Sequence, residues 1–85
     1  MDLKRLLGRI QQELSALLSA RSAVFWQGRE GIHVAMPPDG RWLEVREHRL
    51  PDGRQAFQAV EYPGQQSMIG AGWQVLAWIQ ARISI

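Results

Sequence analysis

Cysteine is absent from these 85 residues, histidine occurs twice and tyrosine once. A chain without cysteine forms no disulfide and offers no thiolate to a metal, and it carries no sign of an oxidising compartment. The two histidines, His33 and His48, stand in neither an E-x-x-H nor an H-x-x-x-H spacing, so no metal or acid–base constellation is expected. No cofactor is implied either. Gly70-Ala71-Gly72 lacks the strand–loop–helix setting and the lysine of a phosphate loop, and reads instead as a place for close helix packing. No serine lies in a nucleophile-elbow pattern.

An excess of one charge is missing too. Ten Lys and Arg face eight Asp and Glu, for a net charge of +2. A dedicated nucleic-acid binder concentrates basic residues on one side, whereas here most have an acidic neighbour in the sequence. Long apolar runs are absent as well. Met1–Ala20 carries Lys4, Arg5, Arg9 and Glu13 among its leucines, which excludes the apolar stretch of a secretory signal. Met68–Ile85 has Arg82 as its one charge, but Gly70, Gly72, Gln74, Gln80 and Ser84 interrupt it, and it is short for a membrane span. There are no repeats, linkers or low-complexity segments. The expectation is one cytoplasmic α+β domain over residues 1–85.

What the chain does have is apolar matter: 46% of its residues are hydrophobic and four are Trp. A small domain without disulfides or metal must draw its stability from burial or from self-association.

Leu3, Leu7, Ile10, Leu14 and Leu17 recur at spacings of four and three, with Leu6 and Leu18 widening the stripe. That is an amphipathic helix with Asp2 at its N-cap and Arg5, Arg9 and Gln12 on the solvated side. The period then falls to two. Strand-like runs at Ser22–Gln27, Ile32–Met36, Arg41–Leu50 and Arg54–Tyr62 are separated by Gly28–Gly31, Pro37–Gly40 and Pro51–Gly53. Short turns between successive strands make an antiparallel meander. Pro63-Gly64 is expected to end the sheet, and a second helix to run over about Gln65–Ser84. The fold class is therefore α+β in the order helix, four-stranded antiparallel meander, helix.

Turn lengths sort the two sheet faces. A three-residue loop Pro51–Gly53 sets Val45 opposite Ala59, Leu43 opposite Glu61 and Trp42 opposite Tyr62. A four-residue loop Pro37–Gly40 aligns Val34 with Leu43, whereas a three-residue loop would align it with Glu44 and bury a charge. The core face is then Ile32, Val34, Leu43, Val45, Phe57 and Ala59. His33 and Ala35 join Trp42 on the other face, with Phe25 or Trp26 beside them.

That second face carries the candidate interaction residues Trp42, Tyr62, Val60, Arg46, His48 and His33. One of the two helices, a second copy or partner protein, or a single-stranded nucleic acid stacking on the rings would each account for it. The C-terminal helix looks apolar nearly all round, with Trp73, Trp78 and Gly72 as candidates for packing or interface. Asp39–Gly53, DGRWLEVREHRLPDG, resembles the hairpin of some PAS-type sensor domains. The flanking segments do not follow that family, and neither a sensor function nor binding residues are carried over.

The surplus of apolar surface favours a non-catalytic protein-interaction domain that self-associates, as a homodimer, away from any membrane. The alternative is a single-stranded nucleic-acid-binding module using Trp42, Tyr62 and Arg46. A small enzyme comes third.

Overall fold

The computed structural model describes residues 2–29, 31–36 and 40–84. Its elements follow in the order α1 (Leu3–Ala20), β1 (Val24–Gln27), β2 (Ile32–Met36), β3 (Arg41–Arg49), β4 (Gln55–Tyr62), β5 (Gln66–Gly70) and α2 (Gly72–Ile83). The α+β class stands, with the five strands in one antiparallel sheet in chain order.

Asp2 caps α1 as its position implies, its Oδ1 accepting the Arg5 N–H at 2.8 Å. The residues that α1 buries completely are Leu6, Ile10, Leu14 and Leu18, while Leu3, Leu7 and Leu17 pack at the margin. Residues four apart lie in one ridge along a helix, and this ridge meets the sheet. The stripe read from the sequence is thus correct in extent and displaced in centre. The helix ends with Ser22 at φ 55°, where the Ala23 N–H reaches the Leu18 carbonyl at 2.8 Å and the Ser22 N–H reaches Ser19 at 3.0 Å. These are the two hydrogen bonds of a Schellman cap.

Two turns set the registers. Gly53, at φ 90°, closes the Pro51–Gly53 loop, across which the Leu50 N–H donates to the Arg54 carbonyl at 2.8 Å. Trp42 accordingly pairs with Tyr62, Glu44 with Val60, Val45 with Ala59 and Glu47 with Phe57. Across the preceding turn Val34 pairs with Leu43 and Ile32 with Val45. Pro37, Pro38 and Asp39 of that turn lie outside the described residues, as does Glu30 of the first turn; Gly40 has φ 67°. All six residues expected on the core face are buried.

One segment differs from expectation. The chain turns at Pro63–Gln65 and returns as β5 along the free edge of β4, with Met68 beside Ala59 and Gly70 beside Phe57. Helix α2 begins only at Gly72, so Met68 and Ile69 are strand residues. Hydrogen-bonding groups on the edge of β4 find their partners in β5, which a helix starting at Gln65 would have left to water. Gly70-Ala71-Gly72 is the strand-to-helix junction rather than a helix-packing stripe. There the Gln74 side chain accepts the Ala71 N–H at 2.8 Å.

Both helices lie on the same face of the sheet. Leu6, Ile10, Leu14 and Leu18 of α1 join Val75, Leu76, Ile79 and Ile83 of α2 in one core with Val34, Leu43, Val45, Phe57 and Ala59. At its rim, Glu61 is buried between Arg41 and Arg82, at 3.3 and 3.4 Å, and the Arg82 guanidinium lies 4.9 Å above the Trp78 ring. The N–H of Leu3 donates to Glu47 at 3.2 Å, and Arg21 donates to the Ser84 carbonyl at 2.9 Å. Together these contacts fix the opposite ends of α1. Among the described residues, no helix lies on the other sheet face.

Candidate interaction face

Alternation along the strands puts Val24 and Trp26 of β1, His33 and Ala35 of β2, and Trp42, Glu44, Arg46 and His48 of β3 on the uncovered face. Ala56, Gln58, Val60 and Tyr62 of β4, with Ser67 and Ile69 of β5, complete it. All six residues expected there, Trp42, Tyr62, Val60, Arg46, His48 and His33, are brought onto this one surface. The open choice at β1 is resolved as well: Trp26 pairs with His33 and points outward, while Phe25 pairs with Val34 and packs on the core.

Cross-strand pairing organises the rings in two stacks. Trp42 and Tyr62 lie with centroids 4.1 Å apart and planes 16° from parallel. Trp26 and His33 are stacked at 5.3 Å and the same angle. Both are neighbours across adjacent strands, where side chains meet most closely. Despite the stacking, Trp26 keeps 48% and Trp42 40% of its surface exposed, and Val24 and Ile69 are exposed beside them. Beside the rings lies a shallow, mostly apolar hollow of about 450 Å³, lined by Trp26, His33, Ala35 and Trp42 and, toward the β2–β3 turn, by Met36, Gly40 and Arg41.

The electrostatics are muted. Glu44 is only 5% exposed, and Arg46 holds it through Nη2 at 2.6 Å and Nε at 2.8 Å. Among the described strand residues of this face, Arg46 is the one guanidinium or ammonium, so its charge is largely spent on Glu44. Lys4, Arg5 and Arg9 belong to α1, on the far side of the sheet, and Arg41 and Arg82 converge on Glu61. His33 and His48 share the face but not a row, since His33 pairs with Glu44 and His48 with Ala56. Among the described residues no three His, Asp or Glu side chains gather as metal ligands would.

The helix candidates divide. Gly72 is buried where α2 begins, and Trp78 is half-buried against the core. Trp73 is 69% exposed. Helix α2 therefore buries one side, through Val75, Leu76, Ile79 and Ile83, and its second apolar side is not covered. The sequence pattern missed Val24 and Ile69 as members of the face. Ile69 lies in a segment whose apolar spacing reads as helix, although Pro63-Gly64 is the same turn chemistry that closes the other hairpins.

Compared with protein families, with curated proteins and with solved structures, the chain matches none. No helix among the described residues is long and apolar enough to cross a membrane.

Proposed function

We propose that this chain is a small non-catalytic protein-interaction domain of the cytoplasm that self-associates through its uncovered sheet face. The observation that carries this reading is the placement of both helices on one side, which leaves two aromatic stacks and an apolar hollow open to solvent. Exposed apolar patches of this kind mark partner sites. Strands about 4.8 Å apart with residues every 3.3 Å or so give a five-stranded face an outline of roughly 500 Å². Two copies covering that whole face would bury about 1,000 Å² between them, the lower end for a specific interface, so weak rather than obligate association is the expectation.

Sedimentation velocity across the micromolar range tests it. The wild-type chain should pass from monomer to dimer, and Trp42→Glu should remain a monomer with an unchanged far-ultraviolet circular dichroism spectrum. A wild-type chain that stays monomeric throughout would sink the reading.

The stacked, exposed rings also suit single-stranded nucleic acid, which binds by stacking on such platforms. That reading ranks second because affinity for phosphates needs cations beside the rings, and the two nearest, Arg46 and Arg41, are engaged by Glu44 and Glu61. Oligonucleotide titrations at low salt should leave the tryptophan fluorescence unchanged. A salt-sensitive quench would reverse the ranking.

A further inference from the structure

We draw no further inference here: the strongest candidate, the apolar hollow beside Trp26 and Trp42 on the uncovered sheet face, belongs to the interaction face already described, and nothing in the structure shows what covers it.

Discussion

Glu61 shows how much a single carboxylate can organise at the rim of a small core. Arg41 comes to it from the start of the central strand β3 and Arg82 from α2, so one buried anion joins the middle of the sheet to the end of the helix. Glu61→Gln keeps the shape but removes the charge that both guanidiniums share. Removing one partner of a buried network costs more than the pair contributes net, so a loss of about 1–2 kcal/mol is expected in urea unfolding. Glu13, paired with Arg9 on the exposed side of α1, is the control. Its change to Gln should leave the midpoint nearly where it was, since solvent screens such pairs. Ser22 supplies a gain of stability. A side chain at φ 55° crowds its own backbone, and Gly does not. Ser22→Gly should therefore stabilise the chain by about 0.5–1 kcal/mol, offset in part by the greater freedom of Gly in the unfolded state.

At the scale of elements, the sheet is pinned by glycine where backbones approach closely. A Cβ on Gly31 would run into the Val45 carbonyl oxygen, a backbone atom with nowhere to move. Gly31→Ala should cost on the order of 3 kcal/mol, seen as a large drop in thermal midpoint. Gly64, which has open space at its Cβ, should accept Ala with little change. This contrast was not legible in the sequence, where both glycines simply mark turns. The β3–β4 hairpin was legible in detail because Pro51-Asp52-Gly53 permits one loop geometry, and one register then follows for every pair from Trp42–Tyr62 onward. The second turn left two registers, and burial of Val34 opposite Leu43 rather than Glu44 chose between them. Period failed at β5. Five residues containing Met68 and Ile69 fit a helical stripe running on into Trp73 and Leu76 as well as they fit a strand, and short apolar runs do not distinguish the two. It is Val75, Trp78 and Ala81, not that segment, that make the helix look apolar nearly all round. The true α2 buries one side and leaves Trp73 exposed, so the surplus apolar surface is shared between this helix and the sheet.

For the whole molecule, the distribution of helices decides what is left over. Had α1 and α2 taken one face each, Trp42 and Trp26 would be core residues and the surface unremarkable. With both on one side, the opposite face keeps Trp26 and Trp42 open to solvent. A dimer formed there has a consequence for stability that needs no structure to measure. Unfolding of a dimer releases two chains, so mass action makes the thermal midpoint depend on protein concentration. A tenfold rise in concentration is worth about 1.4 kcal/mol per dimer, and two chains of this length have an unfolding entropy of roughly 0.36 kcal/mol/K. Where the dimer predominates, the midpoint should climb by about 4 °C for each tenfold increase. Trp42→Glu, held as a monomer, should show no such climb. At dilutions below the dissociation constant the wild type should lose the dependence too, and its midpoint should settle at that of the isolated chain. A wild-type midpoint that stays constant across the micromolar range would mean that the open face of the sheet has no copy of itself to cover it.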